Sequence, residues 1–262
     1  MNGLNTDYII ELANKSIRVD KRKFDEYRKI KIETGVSKNA EGSARVTIGS
    51  TEIIVGIKLA IDVPYPDTPD EGSIIVTAEL LPLSSPEFEP GPPGIQATEL
   101  ARIVDRGIRE SKAIDFKKLC IKKGEEVWIV FIDVYSINDA GNLIDASALA
   151  ALAAIKTAKL PGIVKNEFKN KSKVDYETHT GSLPLNKLPV TCTVYEVGNQ
   201  LLVDPDVEEE KAADARLSVA VLADGTINAM QKGGSKGLSI DKIEKMIDLA
   251  IVKANELRKF IP

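Results

Sequence analysis

Histidine and cysteine are scarce in this 262-residue chain, and their scarcity limits the chemistry available to it. The single histidine, His179, lies in a polar stretch that we expect to be a loop. One histidine excludes a histidine-rich metal site and argues against a serine or cysteine hydrolase triad. The two cysteines, Cys120 and Cys192, are far apart and form no C-x-x-C pair. We interpret them as reduced, buried thiols.

Long hydrophobic runs and an excess of positive charge are also missing. The most apolar helical stretch, residues 143–155, contains Asp145 and is too short to span a membrane. The N-terminus has no signal-peptide pattern, and the net charge of −4 argues against a protein that coats nucleic acid over its whole surface. With 43% hydrophobic residues, the chain is expected to be a globular protein with a sizeable core, and the reduced cysteines favour the cytoplasm.

A proline-rich stretch, residues 82–94, leads into a predicted helix over residues 94–115. At about 100° per residue, the apolar positions fall on one side of this helix and three arginines on the other. The apolar side carries Leu100, Ile103, Val104, Gly107 and Ile108, and the basic side carries Arg102, Arg106 and Arg109. The basic side is either a solvated face paired with Glu99, Asp105 and Glu110, or a phosphate-binding surface.

Alternating and continuous apolar runs predict two strand-rich halves, each followed by helix. The first half has predicted strands over residues 30–36, 44–48, 53–61, 73–81 and 126–137, then an alanine-rich helix over 145–160. The second has strands over residues 189–197, 200–203, 216–222 and 226–230, then a helix capped by Ser239. Residues 163–188 are polar, and we predict an irregular connection there. The pattern suits two similar mixed α/β units in one compact body.

Two further stretches have an ambiguous composition. The glycine-rich segment 232–237 does not match the phosphate-loop pattern, and a flexible connection is the simpler interpretation. The acidic segment 204–214 is either a solvated loop or a set of oxygen ligands for Mg²⁺. Composition does not choose between these alternatives.

The N-terminal arm resembles a known family. Residues 18–22 (R-V-D-K-R) and 25–28 (D-E-Y-R) are similar to the R-x-D-G-R…R opening of the RNase PH family, and the order of elements continues the match along the chain. Within that family, the proline-rich loop and residues 100–106 and 202–205 resemble the non-catalytic RNase PH-like subunit of the archaeal RNA exosome.

The resemblance implies an α/β fold with mixed sheets, in which two similar strand-rich halves carry packed helices. The halves would cover about residues 26–165 and 186–262, behind an N-terminal helix and arm at 1–25. The implied partners are a catalytic RNase PH-like homologue in an alternating hexameric ring, RNA-binding cap subunits and single-stranded RNA. No cofactor and no membrane are implied.

Two departures from active family members bear on catalysis. Active members carry a D-G-G-T-R-type run whose arginine binds the attacking phosphate, whereas this chain has Leu143 at that position, in the run Asp139 to Leu143. Leucine has no donor to offer phosphate. Active members also have two aspartates six residues apart, where this chain has Asp204 and Glu210. The resemblance therefore implies a subunit without catalytic or metal-binding residues of its own.

The same resemblance favours RNA binding by Arg102, Arg106 and Arg109, although Arg109 is equally able to pair with Asp105 across one turn. Arg45, on a predicted strand, is a weaker candidate. Two alternatives stay open. One is a phosphorolytic exoribonuclease active on its own through Asp204 and Glu210. The other is a scaffold that makes no RNA contact.

Overall fold

The computed structural model describes residues 2–166 and 171–262, in which five α-helices and twelve strands form. The helices are α1 (Asn2–Asn14), α2 (Ile95–Glu110), α3 (Leu143–Thr157), α4 (Val207–Ala212) and α5 (Ile240–Arg258). The strands are β1 (Ile30–Thr34), β2 (Gly42–Ile48), β3 (Thr51–Asp62), β4 (Ser73–Leu80), β5 (Cys120–Lys122), β6 (Glu126–Asn138), β7 (Lys159–Asn166), β8 (Lys171–Ser182), β9 (Val190–Val197), β10 (Gln200–Val203), β11 (Ala215–Val221) and β12 (Ile227–Gly233). None of the described helices is long and apolar enough to cross a bilayer.

The first half is built on a six-stranded sheet in the order β1-β2-β3-β6-β4, with the short β5 also paired to β6. All pairings are antiparallel except that of β4 with β6, which is parallel. Along β3, buried residues alternate with half-buried ones over most of its length, so one face meets the core. The parallel pairing requires a long crossover, and α2 lies within that crossover.

The second half is built on a four-stranded antiparallel sheet in the order β10-β9-β11-β12. Every residue of β9 is buried, because α3 and α5 both pack against this strand. The acidic segment contains a helix, α4, whose first turn is fixed by a capping box between Asp206 and Glu209. Ser239 caps α5 as predicted.

The alanine-rich helix α3 lies between the two sheets. Residues 144–155 are all buried, and the helix packs against β2, β3 and β9. The packing is close at Gly42, where an added Cβ would lie 2.4 Å from the carbonyl oxygen of Ala154. Alanine side chains permit this approach because they add so little volume to the helix surface. This arrangement joins both halves around one core.

Helix α2 buries the predicted apolar side and ends earlier than predicted. Leu100, Ile103, Val104 and Ile108 are buried, and Gly107 lies against Thr191 and Ala220 of the second half. The helix stops at Glu110 rather than continuing to residue 115. The chain turns at Lys112, whose φ of +51° ends the helical path.

The predicted irregular connection over residues 163–188 is wrong. Strands β7 and β8 pair antiparallel as a two-stranded ribbon, which places His179 on a strand rather than in a loop. Pro161 and Gly162 also belong to β7, since α3 has already ended at Thr157. Much of the ribbon is exposed, so it lacks the alternation of apolar residues by which strands are predicted. Residues 167–170 of this stretch lie outside the described part of the chain.

Candidate functional site

The turn between β6 and α3 forms one wall of the candidate site. Gly141 and Asn142 both have positive φ, and the turn passes directly into α3 at Leu143. An added Cβ at Gly141 would lie 2.5 Å from the carbonyl oxygen of Pro205, so this turn and the acidic segment touch. The half-buried Leu143 side chain lines a cavity of about 350 Å³ at this junction.

Asp204 lies at the same junction but is sealed from solvent, with 0% of its surface exposed. Its carboxylate accepts hydrogen bonds from the backbone and guanidinium of Arg28 (2.7 to 2.9 Å), from Arg22 (3.0 Å) and from the Asn142 amide (2.9 Å). Burial by itself would raise the pKa of Asp204, but the hydrogen bonds and charge of Arg28 outweigh it and lower the pKa. The carboxylate is therefore ionised and fully occupied by protein donors.

Glu210 faces the cavity from α4. One of its carboxylate oxygens accepts hydrogen bonds from the Tyr195 hydroxyl (2.7 Å) and from the backbone N–H of Asn142 (3.0 Å). Burial raises the pKa of Glu210, with these hydrogen bonds acting in the opposite direction. Glu210 and Leu143 line the same cavity, whereas Asp204 does not.

The cavity is lined by more acids than bases. Glu87, Glu99, Asp139 and Glu210 contribute carboxylates, while the two cations, Lys211 and Arg216, are paired with Glu87 (2.7 Å) and Glu99 (2.5 Å). Burial raises the pKa of Asp139, and the charge of Glu87 adds to that effect. No lining cation is left to receive a phosphate, because each already has an acid partner.

The N-terminal arm supplies most of the hydrogen-bond donors that bind the Asp204 carboxylate. Arg18 is buried against Glu209, at 2.6 Å, and also donates to the backbone carbonyls of Val203 and Asp204. Arg28 donates to the carbonyl oxygens of Ala140 and Gly141 as well as to Asp204, so it joins the turn to the acidic segment. Sequence reasoning missed these pairs. The signal present was three arginines within eleven residues in a chain with a remote acidic run.

The residues described do not fit a metal ion at the acidic segment. Five protein donors already occupy Asp204, and one oxygen of Glu210 is taken by Tyr195 and Asn142. Within residues 2–166 and 171–262, no three acidic, histidine or cysteine side chains group around a point where an ion could lie.

The arginine face of α2, formed by Arg102, Arg106 and Arg109, is only partly neutralised. Arg109 pairs with Asp105 (2.7 Å) and donates to the carbonyl oxygen of Ile74, and the Asp105 hydrogen bond raises its pKa. Arg102 and Arg106 are exposed and have no ion pair or side-chain hydrogen bond within the described part of the chain. Both border a groove of about 400 Å³ between α2 and β4, floored by the small residues Ala97 and Ala101.

The remaining basic candidates are engaged elsewhere. Arg45 pairs with Glu52 (3.2 Å) and Glu33 (3.6 Å) on the outer face of the first sheet. In the glycine-rich segment, Lys232 donates to the carbonyl of Gly234 and Lys236 pairs with Asp214. Among the predicted site residues, Arg102 and Arg106 are thus the cations without a partner in the part of the chain that the structure describes.

Comparison with known families assigns the chain. The family described as "3′ exoribonuclease family, domain 1" (RNase PH) matches residues 26–161, and domain 2 of the same family matches residues 187–253. The chain belongs to the RNase PH family.

Its relatives in this RNase PH family include archaeal exosome proteins. Exosome complex component Rrp42 of Methanocella arvoryzae is 48% identical over 256 residues, covering 98% of this chain and 95% of that protein. A chain in the structure "archaeoglobus fulgidus exosome with RNA bound to the active site" superposes with a TM-score of 0.88 at 45% identity, covering 98% of both chains. A chain of an "Archaeal exosome core" gives 0.84 at 42% identity, covering 99% of this chain and 97% of that one.

These matches confirm the predicted family and the predicted mixed α/β fold. Leu143 and Glu210, the two positions at which this chain departs from the pattern of active RNase PH family members, line the same cavity. Asp204 is buried outside that cavity and is bound by arginine side chains. The arginine face of α2 lies apart from that cavity, on the groove beside β4. The acid-rich cavity and the arginine face of α2 therefore differ both in position and in charge.

Proposed function

We propose that this RNase PH-family chain is a non-catalytic ring subunit of an exosome, a phosphate-dependent 3′-to-5′ exoribonuclease complex of the cytoplasm. In the proposal it alternates with a catalytic RNase PH-like homologue in a hexameric ring, carries RNA-binding cap subunits and positions single-stranded RNA. The chain acts as one domain whose halves cover about residues 26–165 and 186–262. The similarity to archaeal exosome proteins over nearly the whole chain supports this assignment.

The observation that carries the RNA-positioning role is the pair of guanidiniums at Arg102 and Arg106, which have no partner among the residues described. They lie one helical turn apart beside a groove with a small-residue floor, so an extended backbone can approach them closely. Arginine forks match phosphate geometry, and contacts to phosphate position RNA without reading its sequence. Arg109 contributes less to RNA binding in this proposal, because two of its nitrogens already donate to Asp105.

The acidic cavity supports the non-catalytic assignment. Phosphorolysis needs inorganic phosphate held in line with the scissile bond, and displacement by about 1 Å can cost on the order of a hundredfold in rate. Leu143 offers no donor, the lining cations are paired with acids, and Asp204 has no free lone pair. Asp139 and Glu210 form no ion pair within the described part of the chain, and in their ionised forms they would repel a phosphate from this cavity.

The test is an assay of nucleoside diphosphate release from 3′-labelled RNA with Mg²⁺ and inorganic phosphate. We expect no release by the chain alone, and release after assembly with the catalytic homologue. Leu143→Arg should not create activity in the isolated chain, since Asp204 would remain occupied. Robust release by the chain alone that disappears in Glu210→Gln would instead establish the independent exoribonuclease. Glu210→Gln keeps the side-chain size and leaves the Asp204 cluster intact.

A further inference from the structure

A second concave surface lies at the C-terminal end of α2, on the far side from the acidic cavity. It encloses about 710 Å³, and its lining includes Tyr65, Arg109, Lys112, Phe116 and Lys117. Arg109 belongs both to this concavity and to the arginine face of α2. Arg102 and Arg109 are seven residues apart, so the concavity begins about 10 Å along the helix from Arg102.

Tyr65 projects from a loop that its own sequence makes rigid. The Tyr65 side chain is 56% exposed. Its neighbours Pro64 and Pro66 restrict the backbone on both sides, because the proline ring fixes φ. The backbone is held by hydrogen bonds from Thr68 to the Tyr65 carbonyl (3.1 Å) and from Gly72 to the Phe116 carbonyl (2.9 Å). A fixed, exposed aromatic ring can be stacked upon at little conformational cost.

Two lysines that line the concavity form no ion pair among the described residues. Lys112 and Lys117 are exposed and have no ion pair or side-chain hydrogen bond with any residue the structure describes, while the neighbouring Lys118 pairs with Asp115 at 3.4 Å. Arg109 uses Nε and Nη2 for Asp105 and Ile74, which leaves Nη1 without a partner in the described chain. Three cationic groups therefore have donors available.

Acidic side chains also line the concavity. Asp67 and Glu71 come from the loop that carries Tyr65, and Asp115, which pairs with Lys118, lies beside the cations. A purely anionic ligand would meet repulsion there. A nucleotide unit would not, because its phosphate would face the lysines while ribose hydroxyls and base amines donate to the carboxylates.

We infer that the concavity around Tyr65 is a second RNA-contacting subsite, in which a base stacks on the Tyr65 ring and the adjoining phosphate contacts Lys112 and Lys117. The subsite continues the path of single-stranded RNA beyond Arg102 and Arg106, through Arg109. The combination of an aromatic platform and flanking cations is the arrangement by which proteins hold single strands without sequence preference. The inference rests on the proposed function, since the RNA reaches this chain in the assembled complex.

The test measures RNA affinity by fluorescence anisotropy in the complex with the catalytic homologue, without phosphate so that the RNA stays intact. Two oligonucleotides are compared: a short one that ends at Arg102 and Arg106, and a longer one that reaches Tyr65. We expect Tyr65→Ala to weaken binding of the longer RNA about tenfold, within the range for loss of one stacked base, and to leave the short RNA unaffected. Tyr65→Phe should retain the affinity, because the ring stacks without its hydroxyl.

Matched controls are present in the chain. Lys117→Gln should weaken the longer RNA and lower its salt dependence, whereas Lys118→Gln, one residue away and already paired, should change neither. Tyr176→Ala, at another half-exposed tyrosine, should also have no effect. Loss of ring assembly in Tyr65→Ala would identify a protein contact and overturn the inference.

The outcomes also separate this inference from the proposed function. If Arg102→Glu with Arg106→Glu weakens RNA binding while Tyr65→Ala and Lys117→Gln do not, the subsite is refuted and the proposed function stands. If none of these variants weakens binding, the subsite and the RNA-positioning role of the proposed function are both refuted, which leaves the scaffold that makes no RNA contact.

Discussion

At the scale of single residues, Asp204 is a buried carboxylate whose acceptor sites are all taken by protein donors. Its two oxygens offer about four lone pairs, and five hydrogen bonds from Arg22, Arg28 and Asn142 converge on them. A substrate or a metal ion would have to displace buried, charge-assisted hydrogen bonds. The residue therefore links the arm, the turn before α3 and the acidic segment.

Asp145 is a second buried carboxylate with an unusual environment. It is 1% exposed, and it accepts a hydrogen bond from the Tyr27 hydroxyl at 2.7 Å, which also lies 3.2 Å from the Cys192 sulfur. Burial raises the pKa of Asp145 to about 7. Burial likewise raises the pKa of Tyr27 and of Cys192 far above their usual values, so both stay neutral.

Asp145 should make the stability of the fold depend on pH. Between about pH 4 and pH 7 the folded chain holds a proton on Asp145 that the unfolded chain has released, so stability falls as the pH rises through this window. The decrease in stability is at most about 4 kcal/mol. Asp145→Asn keeps an acceptor for Tyr27 and removes the titration. Thermal unfolding at pH 5 and pH 8 should show the variant gaining stability over the natural chain at pH 8.

The control for this prediction is Asp248→Asn, on the exposed face of α5, which should leave the pH profile unchanged. An Asp145→Asn variant with the same pH dependence as the natural chain would show that the carboxylate does not titrate in this range.

At the scale of elements, α2 divides its functions between its two faces. Leu100, Ile103, Val104 and Ile108 hold it against both halves, while Arg102 and Arg106 point to the groove beside β4. Substitutions on the basic face should therefore leave folding and assembly intact. The element is a rigid carrier for cations rather than a flexible loop.

Reversing the charge of this face, by Arg102→Glu with Arg106→Glu, should impair both RNA binding and RNA degradation by the assembled complex. RNA binding should weaken about tenfold or more, and the slope of log affinity against log salt should decrease by about 0.7 for each phosphate of a single strand that is no longer neutralised. Degradation should slow while the mass of the complex is unchanged. Anisotropy across a salt series, with light scattering in parallel, measures these effects.

A matched control places the same charge reversal on another helix. Lys245→Glu with Lys259→Glu changes the net charge equally on the exposed surface of α5 and its C-cap. Glu99 is unsuitable as a control because it pairs with Arg216. Equal effects of the two double variants would show that RNA responds to net charge and that the basic face of α2 has no specific role.

At the scale of the whole molecule, the sheets of the described chain have open edges. Strands β1 and β4 bound the first sheet, and β10 and β12 bound the second. Ile75 on β4 and Met230 on β12 are partly exposed at these edges. Such edges present unpaired backbone groups that favour pairing with another chain.

We therefore expect the isolated chain to self-associate or aggregate, and to become monodisperse when mixed with the catalytic homologue. Light scattering after size-exclusion chromatography is the measurement. A clean monomer that persists at high concentration would contradict obligate ring assembly and leave the open edges as ordinary surface.

The sequence by itself determined the features that depend on local pattern. Alternating and continuous apolar runs located the strands of both sheets except the short β5, and a period of 3.6 residues separated the packing side of α2 from its arginines. Leu143 excluded a phosphate donor at its position without knowledge of the fold, because the property belongs to the side chain alone. Resemblance along the chain indicated the RNase PH family, which the family matches confirmed.

Tertiary structure decided the features that depend on distant partners. The Arg28–Asp204 and Arg18–Glu209 pairs join residues more than 170 positions apart, and local pattern carries no information about such contacts. The β7–β8 ribbon escaped prediction because its exposed faces need no apolar alternation. Only the fold shows that Asp105 engages Arg109 while Arg102 and Arg106 have no partner in the described chain. An ion pair depends on where side chains lie in space and not on their order in the sequence.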